Sequence, residues 1–294
     1  MSNEKRRFGL LVLCLLFVFL GCSRRNTNAE PLIAVSILPQ EWFVSRIGGD
    51  RVQTLVLAGA GQNPHNYEPT PKQISSLARA GAWILSGTEF EISLRPKIEK
   101  LFPALPIIDG TAGVVFRRLE GGDHDHHYDD EADFLPDRHT WLGSEPAKIL
   151  AAHIRDTLSA IDPAGEEQYT ENFHILTLTI DNEFAILRRD LAYLNGSNVF
   201  VYHPSFGYFL DEFGITQQAV ETGGKSPSPR DLNRLIALAK KDLPTVIFVQ
   251  AQFPVNAAKT VADAVGAEII SLDPLAPDWL ANIRRMGEAL RLQL

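Results

Sequence analysis

The segment 163-PAGEEQYTENFHILTLTIDNEFAILRRDLAYL-194 decides how this chain is built. No proline or glycine follows Glu166 within it, and apolar residues recur at Phe173, Leu176, Ile180, Phe184, Leu187, Leu191 and Leu194. Spacings of three and four line one face of a helix. The 29 residues from Glu166 to Leu194 would span roughly 43 Å at the helical rise. On both sides of this stretch the pattern changes to short β-branched runs alternating with longer amphipathic ones. A helix of that length between two α/β halves predicts a rigid spine rather than a flexible linker.

Working outward, residues 32–38 read as a strand and 39–47 as a helix opened by Pro39 and closed by Gly48-Gly49. A second strand at 52–57 leads into a loop rich in Gly, Pro and Asn. Helix 71–80, strand 82–85, helix 89–101 and strand 105–108 follow, and 145–161 has helical periodicity. Beyond the spine, strands at 198–202, 215–221, 245–249 and 268–272 alternate with helices at 206–213, 228–242, 257–265 and 278–292. This alternation predicts parallel sheets flanked by helices. The expected architecture is α/β, with lobes at 31–162 and 195–294, a linking helix at 163–194 and a cleft between the lobes. No repeat is legible residue by residue, though the second half reuses the logic of the first.

The N-terminus carries Lys5, Arg6 and Arg7, an apolar run from Phe8 to Leu20, then Gly21-Cys22. The run is too short to span a bilayer and has the layout of a secretory signal. A cysteine placed there resembles a bacterial lipoprotein signal, with Phe19 standing where an aliphatic residue is usual. A plain cleaved signal and an uncleaved anchor are the alternatives. The expectation is a signal at 1–22, lipidation at Cys22 and a polar tether at 23–30, leaving the folded part outside the cytoplasmic membrane. Removal of residues 1–21 takes away Glu4 and three basic residues and moves the formal charge from −8 to −10. An acidic chain argues against nucleic acid and suits a collector of cations. Both cysteines, Cys14 and Cys22, lie in the signal. A metal site in the folded part therefore has His, Asp and Glu to draw on.

Four of the eight histidines fall within sixteen residues of one polar stretch, Gly121 to Leu142, namely His124, His126, His127 and His139. Imidazole and carboxylate are metal ligands, and imidazole suits zinc better than manganese or calcium. A charge run alone reads as a solvated loop, so the case rests on positions elsewhere. His65, His139, His203 and Asp273 each follow a predicted strand, two in each half, and ligands of open α/β sheets bind at such ends. Each has a plainer reading. His65 could sit in a rigid Pro-rich loop, His139 could pack beside Trp141, His203 could cap the next helix, and Asp273 could start a turn before Pro274. Together they supply three imidazoles and a carboxylate, a full tetrahedral shell for zinc. His153 and His174 lie in helical patterns and read as structural or solvated. No His-Glu-x-x-His, nucleophile-elbow, Walker or dinucleotide glycine motif is present.

Several segments carry a resemblance: 64-PHNYEPTP-71, 139-HTWL-142, 202-YHPSFGYF-209, 225-KSPSPRDL-232 and 272-LDPL-275. With them the chain resembles the extracytoplasmic metal-binding proteins of zinc and manganese ABC transporters over nearly its whole mature length. The resemblance implies a two-lobed fold joined by one long helix, with metal ligands at His65, His139, His203 and Asp273. It also implies zinc, because zinc-type members carry His at the position of His203 where manganese-type members tend to carry Glu. A His-rich loop ahead of the second ligand, here 121–133, is another zinc-type trait. Arg138, Gly143 and Gln250 depart from the usual pattern without removing a ligand.

The function expected is a lipid-anchored, monomeric zinc receptor that hands Zn²⁺ to a cognate permease with its cytoplasmic ATPase. His124, His126 and His127 are expected as secondary ligands that concentrate metal. A manganese (Mn²⁺) receptor is the alternative within the family. A zinc hydrolase is disfavoured, because catalytic zinc keeps an open position for water and Asp273 would close the shell. An adhesin has no exposed apolar stripe or repeat to recommend it.

Overall fold

Parallel pairing follows from the strand–helix alternation, and both halves settle on it. In a computed structural model, residues 30–119, 135–220, 228–242, 244, 246–250, 252–253 and 256–293 are described. The predicted signal, its Cys22, tether residues 23–29 and the loop histidines His124, His126 and His127 lie outside them. The first sheet contains β1 (Leu32–Ile37), β2 (Gln53–Ala58), β3 (Ala82–Leu85) and β4 (Ile107–Asp109), in the order β2-β1-β3-β4. The second contains β5 (Asn198–Val201), β6 (Thr216–Ala219), β7 (Val246–Gln250) and β8 (Glu268–Leu272), in the order β6-β5-β7-β8. Every pair is parallel. The two halves thus repeat one topology that no residue pattern revealed. Each sheet reverses its winding between its first and third strands, and a crevice opens at the carboxyl ends there.

The helices are α1 (Leu38–Gly48), α2 (Pro71–Leu77), α3 (Glu89–Leu101), α4 (Ser144–Ile161), α5 (Glu166–Asp190), α6 (Gly207–Asp211), α7 (Pro229–Asp242), α8 (Asn256–Val265) and α9 (Trp279–Leu290). The spine α5 has 25 residues, roughly 38 Å, and is shorter than the sequence pattern suggested. Leu191 leaves the helical region at φ −106°, ψ 8°. A 3₁₀ turn at Ala192–Leu194 and Gly196 at φ 81° then turn the chain into β5. That reversal, which the apolar period cannot report, takes the last turn of the expected helix. Among the described residues no helix is long and apolar enough to cross a membrane.

The spine is packed into both halves. One apolar core runs from Ile33 in β1 through Ile180 and Phe184 of α5 to Phe248 in β7 and Ile283 in α9. At its centre Trp279 lies 5.5 Å from Trp42, 5.0 Å from Phe43 and 6.4 Å from Phe184, ring centre to ring centre. Those rings come from α1, α5 and α9. A separate smaller core, with Phe200, Ile247 and Val261, fills the outer side of the second sheet. Polar ties add to the junction. Ser144, at the start of α4, donates its backbone N–H to Glu212 at 2.9 Å, and Arg188 of the spine pairs with the same carboxylate.

Candidate metal centre

Three strand-end loops converge here. His65 stands in the loop after β2, where Asn63 Oδ1 accepts its backbone N–H at 3.0 Å and fixes a local turn. His139 directly precedes a 3₁₀ turn, Thr140–Leu142. His203 follows β5, and Gln250 at the end of β7 holds its peptide. The amide oxygen of Gln250 accepts from His203 N at 3.0 Å, and its nitrogen donates to the His203 carbonyl and, at 2.8 Å, to Ser205 Oγ. An ionised glutamate has no hydrogen to give the His203 carbonyl, so this set of bonds needs the amide. His203 also lies flat on Phe253, ring centres 4.7 Å apart and planes 22° apart.

The three imidazoles meet at their Nε2 atoms. Nε2 of His65 and His203 are 3.0 Å apart, and Nε2 of His203 and His139 are 3.3 Å apart. All three residues offer ligand atoms within 4.8 Å of one another. Tetrahedral zinc with Zn–N bonds of about 2.0–2.1 Å separates two nitrogens by about 3.3–3.4 Å. The observed spacing is close to that edge. The other ring nitrogens indicate which tautomers meet here. Nδ1 of His139 lies 2.8 Å from Asp137 Oδ1, and Nδ1 of His65 lies 3.2 Å from Glu89 Oε2. A carboxylate keeps the proton on the nitrogen facing it. Two lone pairs thus face His203 Nε2, which in its neutral form has one hydrogen at most to give. The cluster calls for a cation.

The carboxylates stay charged. Burial alone would push the Asp137 carboxyl up. Its bonds to His139 and to Arg117 Nη1, at 2.8 Å, outweigh that and hold it below the ordinary range. Burial likewise works against ionised Glu89, but the hydrogen bond to His65 and the charges of His65 and His139 pull it down to about 2. The imidazoles, Glu89, Trp141 and Phe253 line a cavity of about 20 Å³, the scale of one water molecule or ion.

Asp273 is not part of the cluster. Its Oδ1 accepts from Gln252 Nε2 at 2.6 Å and from Leu275 N at 2.9 Å, and its carbonyl accepts from Asn282 at 2.8 Å. These bonds are those of a turn-starting aspartate before Pro274, the plainer of the two readings weighed for it. Of the four expected ligands the fold gathers the three imidazoles. His153 bonds the Ala112 carbonyl at 2.9 Å, and His174 sits beside Phe173.

Sequence reasoning passed over Glu89, Asp137 and Gln252. Glu89 follows β3 at the crevice of the first sheet, so the rule that picked out the histidines also pointed to it. Asp137 stands two residues before His139.

The family described as zinc-uptake complex component A, periplasmic (ZnuA), matches residues 33–291. The zinc-binding lipoprotein AdcA of Streptococcus pneumoniae is 25% identical over 90% of this chain and 54% of its own length. The zinc-binding protein AdcA of Streptococcus pyogenes is 25% identical over 96% of this chain and 61% of its own length. The chain therefore spans little more than half of these streptococcal relatives. A crystal structure of ZnuA superposes with a TM-score of 0.81 at 30% identity, covering 89% of this chain and 98% of that one. A zinc-bound ZnuA deletion mutant gives 0.81 at 29% identity, over 90% and 98%. The periplasmic zinc-binding protein TroA of Treponema pallidum, 18% identical with a TM-score of 0.77 over 90% and 99%, shares the fold.

Proposed function

The chain belongs to the ZnuA family of periplasmic zinc-uptake components, and from that premise we propose that it is the extracytoplasmic zinc receptor of an ABC transporter. It captures Zn²⁺ and delivers it to a membrane permease. The observation that carries this is the meeting of His65, His139 and His203 through Nε2 at 3.0 and 3.3 Å. Three nitrogen donors at that spacing favour zinc over manganese, whose preferred ligands are oxygens. His65, His139 and His203 are the proposed ligands, with the fourth position left to water or to a group on the permease. Lipid anchoring through Cys22 and a monomeric state complete the proposal. So does the division into lobes 31–162 and 195–294 about the linking helix.

Metal analysis of the protein purified without residues 1–22 tests it. One tightly held zinc per chain is expected, with further zinc taken up more weakly by the 121–133 loop. His203→Ala should lower zinc affinity by more than about hundredfold, since even outer-shell partners cost up to that much. Zinc binding that survives His203→Ala refutes the assignment. Because all three ligands lie outside 121–133, deletion of that loop should keep the tight site and lower total zinc uptake per chain. Loss of the tight site on that deletion would overturn the secondary role proposed for His124, His126 and His127.

With Asp273 Oδ1 held by Gln252 and Leu275, a shell closed by Asp273 is a weak argument against a hydrolase. The non-enzymatic reading now leans on family membership. Zinc-loaded protein should fail to hydrolyse activated esters and peptides, and turnover that disappears in His203→Ala would revive the enzymatic reading.

A further inference from the structure

Resting on the receptor reading, we infer that the carboxylate serving this zinc site is Glu89, which aims His65 at the ion from behind, and that Asp273 does not take that part. Glu89 Oε2 is 3.2 Å from His65 Nδ1, so it favours the tautomer with the proton on Nδ1 and the lone pair on Nε2. The arrangement repeats the pairing of Asp137 with His139 Nδ1 at 2.8 Å.

An exposed histidine–carboxylate pair by itself would mean little. This one stands on a fixed platform. The turn between β3 and α3 is tied down by buried Glu91, whose Oε1 accepts from Ser86 N and Oγ at 2.8 and 2.9 Å and whose Oε2 accepts from Gly87 N at 2.8 Å. From the other side Arg138 donates to the Gly87 carbonyl at 2.9 Å. Arg138 adjoins His139, so the segment bearing one ligand holds the turn that bears the other ligand's partner. Glu89 begins α3 directly after that turn and lines the ion-sized cavity. Asp273, by contrast, already gives Oδ1 to Gln252 and Leu275. A carboxylate behind one imidazole also offsets the charge of the arriving cation, and partners of this kind are worth about ten- to a hundredfold in metal affinity.

The test is competitive zinc titration of wild type, Glu89→Leu, Glu89→Gln, Asp273→Asn and His203→Ala. Nitrogen-15 NMR of the His65 ring in the zinc-free proteins accompanies it. Glu89→Leu should weaken zinc by about ten- to a hundredfold and move His65 toward the Nε2-protonated tautomer. Glu89→Gln, whose amide oxygen still accepts from Nδ1–H, should recover part of the affinity and keep the tautomer. Asp273→Asn should leave zinc affinity close to wild type, well short of the roughly tenfold loss expected of an outer-shell partner. The Glu89 side chain is 40% exposed, so zinc-free melting temperatures should hardly change, which separates positioning from folding. Wild-type affinity and an unchanged tautomer in Glu89→Leu, with zinc lost in His203→Ala, would overturn this inference and leave the receptor reading intact. Zinc binding indifferent to His203→Ala would bring down both.

Discussion

His65 and His139 each have a carboxylate behind the ring, and those two carboxylates bear on how the site behaves in acid. A lowered carboxyl pKa means that the ionised form persists as pH falls, until the lowered value is reached. Glu89 reaches it only near 2, and Asp137 lies below its ordinary range. Both therefore remain charged across mildly acid conditions, so loss of metal there would not come from these carboxylates. Zinc binds neutral imidazole, so each protonated ligand is a competitor for the ion. Zinc affinity should be level above about pH 7.5 and fall with a slope steeper than one proton below about pH 6. Chelator competition at stepped pH measures this, and equal affinity at pH 7.5 and 5.5 would rule out an imidazole shell. The three histidines were legible because strand ends mark binding positions. Asp273 stands at such an end too, yet no pattern tells which of two partners an aspartate will choose. Glu89 escaped notice because a glutamate in a first helical turn has an ordinary explanation in the helix dipole.

At the scale of elements, the approach of α6 to Arg117 and Asp137 keeps His139 in place. Arg117 reaches across to Asp211 at 2.8 Å and to Asp137 at 2.8 Å, and its backbone N–H donates to Tyr208 Oη at 3.2 Å. Gly207 makes the crossing possible, since a Cβ there would fall 1.6 Å from Arg117 Nη1 and 2.9 Å from Asp137 Oδ2. Gly207→Ala must evict the guanidinium and leave the buried Asp137 charge without its cation. Removing one partner of a buried pair costs about 3–5 kcal/mol, so a clear loss of stability is expected in urea unfolding. Zinc affinity should fall with it, because Asp137 fixes the ring of His139. A variant with wild-type stability would mean that Arg117 has another resting place. Gly207 stands out in the chain only as part of a family-like run. A close approach between segments 90 residues apart leaves no periodic trace. Regular elements are different, for every strand and helix predicted from apolar spacing has its counterpart, with ends shifted where capping or a turn intervenes.

At the scale of the molecule, the two sheets behave as halves of one body. The core that links β1, α5 and α9 is continuous, and the Trp42–Phe43–Trp279 contacts lie across the junction. Opening the halves widely would expose those rings, each worth about 1.5–3 kcal/mol of burial. Zinc binding should therefore proceed by small shifts of the strand-end loops around a fixed frame. The sequence suggested this rigidity through the apolar stripe of the spine, but the aromatic junction depends on which faces meet and could be read only from the fold. A ligand that binds only the folded state stabilises it by about 4 kcal/mol at a thousandfold excess over its dissociation constant. For a chain of this size each kcal/mol raises the melting temperature by about 2–4 °C. Zinc should thus raise the wild-type midpoint by roughly 10 °C and leave His203→Ala unmoved, while small-angle scattering records almost no change in radius of gyration. A contraction of several ångströms on adding zinc would mean that the halves do swing, and that the shared core is broken in the zinc-free protein.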